Sequence, residues 1–256
     1  MPLLNSGIWP YRTLRREGFN ARIITHRTFC SAAIVTVLCA VALTACQTRP
    51  PAGTAAPANV TASPGGKRYI VDPQASEIRL LVYRDGPMAR VGHNHVVVGP
   101  VRGELSVSDS AAASGFRIEI PVESMEVDAP ALRGEEGDEF AATVSDPARK
   151  GTRDNMLGAN VLDAAHYPLI RIESDALLGP RWNPGVSARI TVRGMTSDLK
   201  FPAAVFDQRG SLTVIAAFRV LQSNLGMKPF SILGGAVRVR DAIDVRVRLV
   251  ARPAAD

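Results

Sequence analysis

No cysteine lies beyond residue 46, because Cys30, Cys39 and Cys46 all sit in the N-terminal stretch. The rest of the chain can therefore form neither an internal disulfide nor a cysteine metal site. Aromatic residues are scarce, at 5% of 256. A single-stranded nucleic-acid surface needs aromatics interleaved with bases for stacking, and pairs such as Phe218 beside Arg219 are scattered along the chain and form no interleaved run. Positive charge is also lacking where such a surface would need it. The formal net charge is +6, but Arg12, Arg15, Arg16, Arg22 and Arg27 face Glu17 alone in residues 1–46, leaving 25 bases against 23 acids downstream. No nucleic-acid partner is expected. A nucleophile elbow is missing as well, since Ser76, Ser124 and Ser223 have no G-x-S-x-G setting and no spaced acid–base partners. No enzyme chemistry is indicated. His93-Asn94-His95 spells the letters of a nuclease motif without the ββα metal unit that motif requires.

What is present begins with an export pattern. A basic segment ends at Arg27, an apolar run covers residues 29–45, and Leu43-Thr44-Ala45-Cys46 follows. A membrane-spanning helix needs about 20 apolar residues, so this run is at the short limit. Small residues before a cysteine fit a processing site better than a continuing helix, although a plain membrane anchor is the competing reading. The Leu-Thr-Ala-Cys run resembles the lipobox of bacterial lipoproteins. That resemblance implies a signal peptide over residues 1–45 and Cys46 as an acylated mature N-terminus. Gln47, in place of the aspartate that retains lipoproteins at the inner membrane, points to the inner leaflet of an outer membrane, facing the periplasm. Residues 46–66 are rich in Pro, Ala, Gly and Thr without periodicity, and read as a flexible tether.

From residue 67 to 256 the dominant period is two. Ile78, Leu80 and Val82 alternate with Glu77, Arg79 and Leu81, and Val101, Leu105 and Val107 do so with Arg102, Glu104 and Ser106. Similar alternation recurs around 116–120, 170–172, 186–192, 199–206 and 212–220. It ends in Val245, Val247 and Leu249 against Arg246 and Arg248. Such alternation marks strands with one buried and one wet face, and about eight of them suggest an all-β antiparallel sandwich or barrel. Residues 146–168 break the pattern. Asp146 before Pro147 starts a helix of about three turns, or two short ones, that Tyr167-Pro168 stops. Residues 128–143 read as an acidic, loop-like segment with room for a little helix. Arg153 and Asp154 read as a local helix-end pair, and Arg238, Arg240, Arg246 and Arg248 as a solvated stripe.

Several short signatures follow in order. Tyr69-Ile70-Val71-Asp72 comes before Arg153-Asp154-Asn155-Met156-Leu157, Val161-Leu162-Asp163 and Tyr167-Pro168-Leu169-Ile170. Ile190-Thr191-Val192-Arg193-Gly194-Met195-Thr196 and Asn224-Leu225-Gly226-Met227 follow. Together they resemble the YceI-like family over residues 68–251. The resemblance implies an antiparallel eight-stranded lipocalin-like barrel with a short helical insertion. It also implies a periplasmic carrier of a long apolar ligand, polyisoprenoid or fatty-chain, held lengthwise inside. Leu225 stands where the family usually has an aromatic, and Arg90-Val91-Gly92-His93-Asn94-His95 is not a general family feature.

On that reading Leu80, Val82, Ile190, Val214, Phe218, Val245 and Val247 line a cavity, and His93 and His95 sit at its mouth. Mostly small and medium side chains would leave room in an eight-stranded barrel, although a packed, ligand-free core fits the alternation equally well. At spacing two on a strand, His93 and His95 would share a face. They could make ordinary surface hydrogen bonds, bind a ligand headgroup, or share a metal with His166, Asp85 or Glu104. That last reading makes the chain a metal- or redox-linked protein instead. The expected partners are an apolar lipid-like small molecule and, through the anchor, a membrane. No cofactor beyond such a lipid is expected, and a homodimer stays open.

Overall fold

The computed structural model describes residues 66–208 and 210–255. The expected signal peptide, Cys46 and all of the expected tether except Gly66 lie outside the described residues. The strands are β1 (Lys67–Val71), β2 (Glu77–Asp85), β3 (His95–Pro100), β4 (Arg102–Val107), β5 (Gly115–Pro121) and β6 (Glu126–Val127). They continue with β7 (Leu169–Leu178), β8 (Gly185–Val192), β9 (Met195–Gln208), β10 (Ser211–Leu221), β11 (Ser231–Ile232) and β12 (Val237–Pro253). Two helices, α1 (Pro130–Gly134) and α2 (Asp146–Leu157), lie between β6 and β7. Among the described residues no helix is long and apolar enough to cross a membrane.

The twelve strands make eight staves, because four pairs run in line: β1 with β2, β3 with β4, β5 with β6, and β10 with β11. β12 pairs with β10 along one edge, and along the other with β2 (Arg248 opposite Glu77) and then β1 (Ala251 opposite Val71). β3 lies beside β2 and β4 beside β1 in the same way. Antiparallel pairing then runs β4–β5–β7–β8–β9–β10–β12, so the sheet closes on itself. The expected eight-stranded antiparallel barrel is what forms, and full closure removes the edges that would otherwise invite pairing with another chain.

The interruption between β1 and β2 is bridged by a side chain. Ser76 Oγ accepts from the Val250 amide (2.9 Å) and donates to the Val250 carbonyl (3.2 Å), standing in for a missing ladder bond. Beside the break between β3 and β4, Gly103 has φ +143°, and a Cβ there would lie 2.1 Å from the Arg117 carbonyl oxygen. Only glycine lets the two strands approach this closely.

Both faces of β2 and β3 are buried, which explains the unbroken apolar runs Leu80-Leu81-Val82-Tyr83 and Val96-Val97-Val98. Val97, Leu80 and Val82 belong to the barrel core, whereas Leu81 and Val96 pack outside it with Phe140, Leu132 and Tyr83. Residues 128–143, expected as a loop with a little helix, include α1 and a short 3-10 turn that cover this outer face. Ion pairs hold the cover down. Arg79 meets Glu136 (2.7 Å) and Glu135 (2.9 Å), and Arg246 meets Glu136 (2.5 Å).

The helix forms as expected over Asp146–Leu157, but Ser145 is its N-cap residue and Arg153 does not pair with Asp154. Neighbours on a helix point about 100° apart, so Asp154 takes Lys150 at i−4 instead. Arg153 donates to the carbonyls of Met125 and Glu123 and docks the helix on the chain leaving β5.

Candidate functional site

Strand direction gives the barrel two ends. One carries the β2–β3 loop, the long β5–β7 connection with both helices, and the β8–β9 and β10–β12 connections. The other carries the β4–β5, β7–β8 and β9–β10 turns, the start of β1 and the end of β12. The interior is filled unevenly between them. Toward the first end, Ile120, Val122, Met125, Leu162, Ile170, Leu225 and Met227 pack into a continuous core. Toward the second, the walls enclose a cavity of about 370 Å³, near the lower bound of roughly 300–1,000 Å³ for small-molecule sites.

The cavity wall is almost wholly apolar. Leu105, Phe116 and Ile118 form one side, and Phe201, Leu212, Val214, Ala216, Phe218, Val247 and Leu249 the other. Phe201 and Phe218 stack with ring centroids 4.3 Å apart. Small residues at Ala203 and Ala216, between bulkier neighbours, leave the space open. The two charged lining residues, Arg181 and Asp207, are both exposed at the mouth, as is Trp182 from the β7–β8 turn. The Trp182 carbonyl accepts from the Val205 amide (2.9 Å), which seats that turn against β9.

Of the residues expected to line a cavity, Val214, Phe218 and Val247 do. Leu80, Val82, Ile190 and Val245 belong to the same core but lie in its packed part and do not line the opening. The reason is length. The alternating pattern is the same along a whole stave, while the space opens only near one end. Leu105, Phe116, Phe201 and Trp182 were not singled out from the sequence. Leu105, Phe116 and Trp182 are apolar residues in or close to turns and Phe201 lies mid-strand, and alternation alone distinguishes none of them.

His93 and His95 are not at the mouth. His93 is exposed just before β3, and His95 begins β3, so both belong to the opposite end of the barrel. Nor do they act as a pair, because His95 turns inward to the region that covers β2 and β3. His95 Nδ1 lies 2.6 Å from Asp128 Oδ2. Asp128, wholly buried at φ +56°, also accepts from the Val96 amide (2.9 Å) and from Arg133 Nη1 (2.5 Å). Burial opposes ionisation of Asp128, but these hydrogen bonds outweigh it and hold the carboxyl below the usual carboxylate range. Arg133 also donates to the Asn94 and Ala142 carbonyls, so each charge in the cluster has partners.

The residues considered as third metal ligands are engaged elsewhere: Asp85 with Arg238 (2.9 Å), Glu104 with Arg68 (2.9 Å) and His166 with Asp163 (2.8 Å). Among the described residues no group of three or more His, Cys, Asp or Glu is placed to hold a metal ion. The arginine stripe is exposed and locally partnered. Arg238 and Arg246 make the ion pairs already given, and Arg240 lies 5.1 Å over the Tyr83 ring.

Among solved structures, BcnA of Burkholderia cenocepacia is 16% identical, with 70% of this chain and 98% of that chain covered at a TM-score of 0.49. A YceI protein of Campylobacter jejuni is 10% identical, covering 61% of this chain and 82% of that one at a TM-score of 0.43. No curated protein matches the chain. The family model of the YceI-like domain matches residues 69–251, almost the whole barrel. With that match spanning well over half its length, the chain belongs to the YceI-like domain family.

Proposed function

We propose that this protein is a non-enzymatic, lipid-anchored periplasmic carrier that holds one apolar chain, isoprenoid or fatty, in the open end of its barrel. The supporting observation is the cavity: about 370 Å³, walled by aliphatic and phenyl groups, with the ionisable residues that line it, Arg181 and Asp207 among the described residues, at the mouth. Such a wall offers an occupant dispersion and release of water but no group to react with it. Each methylene moved from water contributes about 0.8 kcal/mol, so ten contribute about 8 kcal/mol before the cost of association is subtracted. A polar headgroup would remain outside beside Arg181 and Asp207. Because the cavity ends well short of the far turns, a long polyisoprenoid would insert only its first part, and its remainder would leave through the mouth. Acylation of Cys46 would keep the carrier at the membrane that holds such ligands.

The test is a titration of the full chain with a fluorescent fatty-acid probe. Saturable binding at one site is expected. Val214→Phe, which fills the cavity, should weaken it at least about tenfold, equivalent to losing about two methylenes of contact. Equal affinity in the two proteins would place the probe elsewhere and contradict the assignment.

A further inference from the structure

The outward face of the barrel changes character toward the mouth. Along β7 the outward residues run from Arg171 and Glu173 to Leu178, and along β9 from Asp198 and Lys200 to Phe206. A bulge between Ser174 and Ala176 shifts the parity of β7, so that Leu177, like Val205 on β9, lines the cavity while the neighbours Leu178 and Phe206 face away from it. Leu178 is 63% exposed, Trp182 68% and Phe206 46%. The three are neighbours. Leu178 pairs with Gly185 across the turn that carries Trp182, and the Trp182 carbonyl is bonded to the residue before Phe206. Alternation calls for polar side chains at Leu178 and Phe206, as it provides further along the same strands. An apolar cluster at the rim of an apolar cavity, led by a tryptophan, matches what a lipid–water interface selects.

A second observation gives the cluster its direction. Lys67, the first residue of β1, is paired with Val107, and Val107 lines the cavity. The chain preceding the barrel, 66 residues with Cys46 among them, therefore joins it at the mouth. The 20 residues between Cys46 and Lys67 span at most about 70 Å when extended, so an acylated Cys46 would keep this end near the bilayer.

We propose that the mouth is a membrane-docking surface: Leu178, Trp182 and Phe206 seat in the interface of a phospholipid bilayer, and the cavity opens directly onto the lipid. This rests on the carrier reading and names the surface that would supply its ligand. An apolar chain has almost no free concentration in water, so a mouth that meets the bilayer spares it the aqueous crossing.

The sequence has two tryptophans, and Trp9 lies in the expected signal peptide, so the chain matured at Cys46 reports from Trp182 alone, as does an unprocessed chain carrying Trp9→Phe. The protein would be bound to phosphatidylethanolamine–phosphatidylglycerol vesicles whose acyl chains carry bromine, a short-range quencher. Docking predicts a blue shift and marked loss of Trp182 emission. Adding Leu178→Asp and Phe206→Asp should restore emission while the chain stays on the vesicles and its uptake of a fatty-acid probe without vesicles is unchanged. Vesicle-bound protein with solvent-like, unquenched Trp182 would overturn the docking. So would quenching that survives the double substitution, because the bromine would then be inside the cavity. Failure of probe uptake with the quenching intact would refute the carrier reading and leave the docking standing.

Discussion

Asp128 is a residue whose role is set by its partners and not by its neighbours in sequence. His95 and Arg133 reach it from opposite sides, the Val96 amide completes its shell, and no solvent touches it. Replacing it by Asn leaves the Arg133 guanidinium buried without a counter-charge, which should destabilise the fold by about 3 kcal/mol in urea titrations. The carboxyl ionises more readily in the folded state than near the unfolded value of about 3.9. Its contribution is therefore fully present above pH ~4 and lost as pH falls through the lower folded value, a loss on the acid side that Asp128→Asn should lack. If the acid-side stability profiles of the two proteins coincide, Asp128 does not carry that linkage. Probe binding should persist in a His93→Ala, His95→Ala double variant, because both side chains lie at the far end from the cavity; its loss would contradict that separation. None of this cluster was legible in the sequence. The spacing of His93 and His95 suggested a pair, but His95 finds Asp128 across 33 positions, a contact created only by folding.

Elements were legible where one face is wet. The strands around 170–172, 186–192 and 212–220 announced themselves because outward Arg, Glu, Ser and Thr alternate with inward aliphatics. β3 gave no such signal. Residues 128–142 dry its outer face, so Val96, Val97 and Val98 are all apolar and the period disappears. The break between β3 and β4 was silent for another reason. Gly103 looks like any glycine in a strand, and only the close approach of the Arg117 carbonyl makes it necessary. Gly103→Ala should therefore destabilise by about 3 kcal/mol or more, far beyond the strand-propensity difference between the two residues. A change within a few tenths of a kcal/mol in a denaturant titration would mean that the two strands separate easily at this point.

At the scale of the whole molecule, alternation specified an all-β antiparallel layer, the family resemblance implied its closure, and neither told which part of its inside is empty. Ile190 and Val214 obey the same rule; one is in the packed half and the other lines the cavity. The difference follows from where each stave ends and from small residues such as Ala203 and Ala216 facing each other across the sheet, a long-range coincidence that local periodicity does not encode. On the proposed reading, the uneven filling would admit a single chain inserted from one end with its head left outside. Native mass spectrometry of the full chain, purified gently from the membranes of its own host, addresses this most directly. The prediction is a population heavier by the mass of one lipid, released on mild activation and depleted in Val214→Phe. Bare protein that also fails to take up an added fatty acid, or a bound lipid that survives Val214→Phe undiminished, would contradict it.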